Sequence, residues 1–188
     1  MRIYFLLAAS LSIAPSWCDD ARDARIRQDL QYVADQIVAH HPNPFTKISR
    51  ADFNARRQSI SDAIPSLNDV SAYLRIHSLA ASIGDAHTSV GLDTRFYQTL
   101  GVKNFPIQAT LYDDGLFITF TEPSYTQYLG RRVVSINGRT PEQIIEAARP
   151  FISYDNEPWL RQQFIALTRA PQLLNAIGLG EDPETAGW

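Results

Sequence analysis

The sequence is poor in cysteine, in excess positive charge and in long apolar runs. Of 188 residues, Cys18 is the only cysteine, which excludes an intramolecular disulfide. The 17 Lys and Arg against 20 Asp and Glu give a formal net charge of −3, so no basic surface indicates nucleic acid or an anionic membrane as a partner. What remains, 45% hydrophobic and 11% aromatic, is the composition of an ordinary globular protein.

The apolar run nearest the N-terminus covers residues 3–14 and is too short to cross a bilayer as a helix. Arg2 precedes it, small residues follow it, and charge begins at Asp19. This order predicts a secretory signal peptide over residues 1–18, cleaved between Ser16 and Cys18. We therefore expect a secreted or periplasmic protein without a membrane span.

The first half of the expected mature chain has helical periodicity. Apolar residues recur every three or four positions over 21–40, after the N-cap Ser49, and over 70–83, which predicts a helical bundle domain over 19–92. The third helix has the widest apolar face and should be the most buried of the three. His77 lies beside that face, and we expect it to be a core or boundary histidine with its hydrogen bonds satisfied.

The second half has the alternation of strands. Residues 105–111 and 116–121 predict a hairpin with Asp114-Gly115 at the tight turn, and 131–136 predicts a third strand. These elements and the following helix form an expected α+β module over 93–155. A helical segment over 156–188 follows, with one helix over 157–169, a short turn over 172–177, and no pattern in the last ten residues. The fold class expected is α+β, with the boundary near 92–103.

The junction between the halves, residues 82–90, concentrates polar side chains. Gly84 can end a helix in the left-handed conformation, and Asp85, His87 and Thr88 follow it directly. Taken alone, this pattern is typical of a helix C-cap and a solvated turn. The alternative is a turn that holds the imidazole of His87 rigidly for chemistry.

A metal site is a further alternative at this junction. Asp85 and His87 would need one or two more ligands, and only His40, His41 and His77 remain as nitrogen donors. His40 and His41 are adjacent in a proline-rich, extended segment, where neighbouring side chains point apart, and we predict surface positions for them. We expect no metal and no other cofactor.

Four segments in order resemble a known family. They are 41–45 (HPNPF), 84–88 (GDAHT), 105–118 with its FPI and DDGLFI pieces, and 130–138 (GRRVVSING). Together they resemble the N-terminal half of the tail-specific, or C-terminal-processing, serine proteases, which include relatives of the tricorn core. The resemblance implies a helical bundle, then a PDZ-like module, then a catalytic α/β domain that these 188 residues do not include.

The resemblance also implies roles for the junction. His87 matches the histidine that serves as general base in the tricorn-like branch, whereas another branch uses a lysine. The family's nucleophile is a serine of the later domain, and no serine here lies in a similar turn. Gly84, Asp85 and Thr88 are expected to brace the turn under His87. The function expected is the N-terminal portion of an exported serine-type peptidase acting on a peptide or protein substrate.

A non-catalytic function is the competing expectation. PDZ modules bind the C-terminal ends of peptides by strand addition. The strands over 105–121 and 131–136 could supply such an edge, although no Gly-rich carboxylate-binding loop is evident. The chain would then be an exported peptide-binding module.

Overall fold

The fold is α+β, with helices at both ends of a three-stranded antiparallel sheet. The computed structural model describes residues 17–90, 94–180, 182 and 184–187. Within those residues no helix is both long and apolar enough to cross a membrane. The predicted signal peptide falls on residues 1–16 almost entirely, and so lies outside the described part of the chain.

Three helices form the N-terminal layer: α1 (Trp17–His40), α2 (Arg50–Ala63) and α3 (Asp69–Ala81). The predicted N-cap at Ser49 is confirmed, since its side chain accepts a hydrogen bond from the Asp52 backbone, and Asn68 caps α3 in the same way. Their shared core is apolar, and burying each large side chain contributes about 1.5–3 kcal/mol. It includes Ile26, Leu30 and Ile37 of α1, Phe53 and Ile60 of α2, and Ile76 and Leu79 of α3.

The segment after α3 differs from the expectation. Residues 91–93 lie outside the described part of the chain. A short helix that was not predicted, α4 (Thr94–Thr99), comes next. One and a half turns are unstable alone, and packing holds them: Tyr97 and Leu100 contact a small buried cluster of Val70, Ala170 and Leu173. The predicted domain boundary near 92–103 stays a prediction.

The predicted hairpin is confirmed with its turn one residue earlier than expected. Strand β1 (Ile107–Tyr112) pairs antiparallel with β2 (Gly115–Thr121), and Tyr112 faces Gly115 across the turn. Asp113 and Asp114 are therefore the two central residues. Gly115 opens β2 with φ +148°, and its missing side chain leaves room for the guanidinium of Arg132, 2.7 Å from where a Cβ would lie.

The third predicted strand, 131–136, is wrong beyond two residues. Strand β3 is only Arg132–Val133, paired with Leu116 and Phe117 of β2. Val134 is 72% exposed, because the chain leaves the sheet after Val133. It then makes a tight turn at Asn137 and Gly138, both with positive φ, closed by a bridge between Ile136 and Arg139.

The C-terminal helices are α5 (Pro141–Ala148), α6 (Glu157–Gln163) and α7 (Pro171–Ala176). Thr140 and Gln143 form a full capping box at α5. The single helix predicted over 157–169 is wrong past Gln163, where a tighter 3-10 helix, Phe164–Thr168, takes over. Because a 3-10 helix has three residues per turn, Phe164 and Leu167 lie on the same face, and both are buried against the sheet.

A second core lies between the sheet and the C-terminal helices. It contains Ala109, Leu116, Ile118, Val133, Ile144, Leu160, Phe164 and Leu174, together with Leu74 from α3. Helix α3 thus faces both cores, which accounts for its wide apolar face.

The last residues are more ordered than their sequence predicted. Asn137 donates from its side-chain amide to the carbonyl of Leu179 (2.8 Å) and accepts from the amide of Gly187 (2.7 Å). The turn after β3 therefore fastens the described residues of the tail.

Candidate functional site

The site is the turn of residues 84–88, which follows α3 and is called here the 84–88 turn. Gly84 has φ +73°, and its amide donates to the carbonyl of Ala81 at 3.0 Å. The ammonium of Lys47 donates to the carbonyl of Gly84 at 2.6 Å. A Cβ at position 84 would lie 2.6 Å from Cδ of Lys47, so glycine allows both the helix exit and this contact.

Asp85 is the centre of the turn's hydrogen bonding. Its Oδ2 accepts from the hydroxyl of Thr88 at 2.6 Å, and its Oδ1 accepts from the amide of His87 at 3.1 Å. These hydrogen bonds, the Thr88 hydroxyl first, lower the pKa of Asp85 to about 2. The carboxylate therefore stays ionised at any pH where the protein would work.

His41 brings the proline-rich segment to the same carboxylate. Its Nε2 lies 3.2 Å from Asp85 Oδ2, and its Nδ1 accepts the backbone N–H of Asn43 at 3.1 Å. Because Nδ1 accepts, the proton of the neutral ring is on Nε2, which donates to Asp85. The prediction of a surface position is wrong for His41, whose side chain is 16% exposed, and right for His40, which is exposed.

The turn is also held from the second half of the chain. The amide of Ala86 donates to Asp155 Oδ1 at 3.0 Å, and the hydroxyl of Ser153 donates to the carbonyl of Thr88 at 2.6 Å. Both partners lie in the loop before α6. Elements from both halves thus fix the backbone on either side of His87.

His87 itself points away from this network. Its side chain is 92% exposed, and its Nδ1 lies 3.5 Å from Asp85 Oδ1, slightly longer than a direct hydrogen bond. A carboxylate next to Nδ1 favours the tautomer with the proton on Nδ1, which leaves the lone pair of Nε2 free. An imidazole so arranged can accept a proton from a group brought to it from outside.

One group of three side chains here has the composition of a metal site. Asp85, His87 and Asp155 each offer a ligand atom, all within 4.8 Å of one another. The third ligand is an aspartate rather than one of the three other histidines. Asp85 Oδ1 and Asp155 Oδ1 already accept backbone N–H groups, so the geometry accounts for both carboxylates as supports of the turn.

Five serine hydroxyls in the described part of the chain donate hydrogen bonds that stabilise the surrounding structure. Each donates to a nearby carbonyl or carboxylate: Ser49, Ser66, Ser78, Ser82 and Ser153. None of these five is bonded to His87.

Four residues of this site were not predicted from the sequence: His41, Lys47, Ser153 and Asp155. His41 and Lys47 lie 44 and 37 positions from their partners, and Ala86 lies 69 from Asp155. Residue type and spacing hold no signal for such pairs. The one available indication was the HPNPF segment, which the family resemblance had already singled out.

His77 was predicted to be satisfied, and this is wrong. Its Nε2 is buried and has no hydrogen-bond partner among the residues that the structure describes, and burial lowers the pKa of the ring to about 4. It belongs to a separate cavity and not to the 84–88 turn.

A groove runs between β1 and α6. It has a volume of about 670 Å³ and is lined by residues 109–113 of the strand and turn and by Pro158, Arg161, Gln162 and Ile165. In the order β1-β2-β3, β1 is an edge strand, so one side of its backbone has no strand partner in the part of the chain that the structure describes.

Comparison of the chain with models of known protein families found no match, and a search of curated proteins found no similar sequence.

Proposed function

We propose that this chain is the N-terminal portion of an exported serine-type peptidase of the tail-specific protease kind, with His87 as its general base. One observation carries the proposal: an exposed imidazole stands beside an ionised carboxylate on a turn fixed by both halves of the chain. A solvated turn with no further role would not need contacts from both halves of the chain to hold its backbone.

The chemistry requires a serine nucleophile, which the family resemblance assigns to a later domain. A serine hydroxyl becomes an effective nucleophile when a base within hydrogen-bond reach takes its proton as it attacks the peptide carbonyl. Nε2 of His87 would take that proton and return it to the leaving amine. Asp85, held by Thr88 and His41, would stabilise the imidazolium between the two transfers.

The test is His87→Ala in the full-length gene product, assayed by peptide hydrolysis and by the labelling rate of a serine-directed fluorophosphonate. Loss of a general base is expected to lower turnover about 10²–10⁴-fold. His40→Ala, an exposed histidine on α1, is the matched control and should leave turnover unchanged.

Two outcomes would contradict the proposal. Unchanged hydrolysis by His87→Ala would remove this residue from the mechanism. Turnover that is abolished by a chelator and restored by Zn²⁺ would assign Asp85, His87 and Asp155 to a metal instead.

The groove between β1 and α6 favours a second candidate function, a peptide-binding module of the PDZ-like kind. An extended peptide could pair with the open edge of β1 while Arg161 meets its terminal carboxylate. Binding by strand addition depends on hydrogen bonds to the backbone of the strand, which any extended peptide can form, and on the side-chain pockets beside the strand.

This second function is tested by titrating a library of peptides with free C-termini against the purified chain, with C-terminally amidated copies as the control. Arg161→Glu should weaken binding of the free acids and leave the amides unaffected. Absence of binding at millimolar peptide would rule the module out.

A further inference from the structure

A separate cavity of about 310 Å³ lies between α3, α4 and the C-terminal helical segment, and is called here the His77 cavity. Its lining shares no residue with the 84–88 turn or with the groove beside β1. Val102, Leu167 and Leu173 supply apolar walls, and Leu167 and Leu173 are buried. The cavity therefore needs its own explanation.

The unusual group in this lining is His77. Its Nε2 is buried and, within the described part of the chain, has no hydrogen-bond partner. Buried polar atoms nearly always have a partner, and those that lack one commonly meet a water, an ion or a ligand. Tyr97, whose pKa burial raises, contributes a second polar group to the same walls.

The rim of the cavity is polar and carries a cation. Arg169 and Asn104 are both exposed there. Neither side chain forms a hydrogen bond or ion pair with any residue that the structure describes. The carbonyl of Arg169 accepts from the amide of Phe105 at 2.8 Å, so the backbone that carries the guanidinium is fixed.

We propose that the His77 cavity binds a small carboxylic acid with a compact apolar body and one further polar group. The carboxylate pairs with Arg169 at the rim, the apolar body lies against Leu167 and Leu173, and the polar group bonds Nε2 of His77. The volume suits one substituted aromatic ring, and the guanidinium of Arg169 at the rim selects an anion over a neutral ligand. This inference does not rest on peptidase activity.

The probes are 4-hydroxybenzoate, benzoate and 4-hydroxybenzamide, titrated against the intact chain by calorimetry and by the imidazole nitrogen signals of His77 in NMR. The hydroxy acid should bind most tightly. The amide, which lacks the charge, and benzoate, which lacks the hydroxyl, should each bind about tenfold more weakly.

Variants separate this site from non-specific anion binding. Arg169→Gln should weaken 4-hydroxybenzoate about tenfold, whereas Arg56→Gln, an exposed arginine of α2, should have no effect. His77→Leu should remove the preference for the hydroxyl. If His77→Leu does not fold, Arg169→Gln still decides.

No binding of the three probes at millimolar concentration would overturn the proposal. Equal affinity of the unmodified chain and Arg169→Gln for 4-hydroxybenzoate would overturn it as well.

Discussion

At the scale of single residues, the 84–88 turn depends on a glycine at position 84 and on an ionised carboxylate at position 85, and the local structure explains both. Gly84 is glycine because of its φ of +73° and the closeness of Lys47. Asp85 is charged because three donors surround it: the hydroxyl of Thr88, the amide of His87 and the ring of His41. Of His87, these contacts involve only the backbone amide, and its imidazole remains exposed.

Gly84→Ala should destabilise the protein by about 1–2 kcal/mol, since alanine is strained at positive φ and would displace Lys47. Gly101→Ala is a matched control: φ there is +74°, with no atom within 4 Å of a Cβ. The cost at 84 should exceed that at 101, and adding Lys47→Ala should reduce the difference, as measured by denaturant unfolding. Equal costs at both positions would show that the Lys47 contact contributes nothing.

Asp85 should contribute to acid unfolding. Its pKa is lowered to about 2 in the folded protein from an ordinary 3.8. Its contribution is therefore present above about pH 4 and is lost as the pH falls toward 2. Asp85→Asn should cost about 1 kcal/mol at pH 7 and flatten that part of the stability profile, whereas Asp114→Asn, at the exposed hairpin turn, should do neither.

As the pH falls, His77 should begin to lower the free energy of unfolding at a higher pH than Asp85 does. Its pKa of about 4 in the folded protein lies below the ordinary 6.5, so the unfolded chain binds the proton first as the pH drops. Stability should be constant above about pH 6.5 and decrease toward pH 4, by a total on the order of 2 kcal/mol. Tyr97, the other cavity group whose pKa is shifted, is raised by burial from an ordinary 10 and so does not titrate in this range. His77→Leu should abolish the decrease, and a profile that it leaves unchanged would assign the decrease to other groups.

At the scale of elements, local chemistry predicted most helices and failed where packing decides. Ser49, Asn68 and Thr140 mark helix starts in the sequence, because an N-cap needs only a side-chain oxygen close to the free backbone amides of the first turn. Such a signal is local. Helix α4, the two-residue β3 and the 3-10 segment after Gln163 have no such signal. Their lengths are set by contacts with distant residues, which periodicity does not include.

Thr140→Ala should cost about 1 kcal/mol, because it removes the hydroxyl that accepts from the Gln143 amide and breaks the capping box of α5. Thr126→Ala, an exposed threonine outside any helix cap of this kind, should change stability little. Thermal or denaturant unfolding of the two variants measures the difference. A cost at Thr140 no larger than at Thr126 would mean that the box is not formed in solution.

At the scale of the whole molecule, the two halves meet along α3 and at the turn that follows it. Leu74 of α3 belongs to the core of the second half and Ile76 to that of the first. Lys47 and His41 reach the turn from one side, Ser153 and Asp155 from the other. The sequence predicted the turn, its histidine and its local braces but not its distant supports, because pairing over 37 to 69 positions arises only in the folded chain.

Whether His87 acts as a general base on this turn can be measured by chemical rescue. His87→Gly in the full-length gene product removes the base and leaves space for free imidazole to take its place. We expect low peptidase activity that rises with added imidazole, saturates, and follows the unprotonated fraction of the imidazole as the pH changes. Activity equal to that of the unmodified protein, or a folded variant that no imidazole concentration rescues, would contradict it.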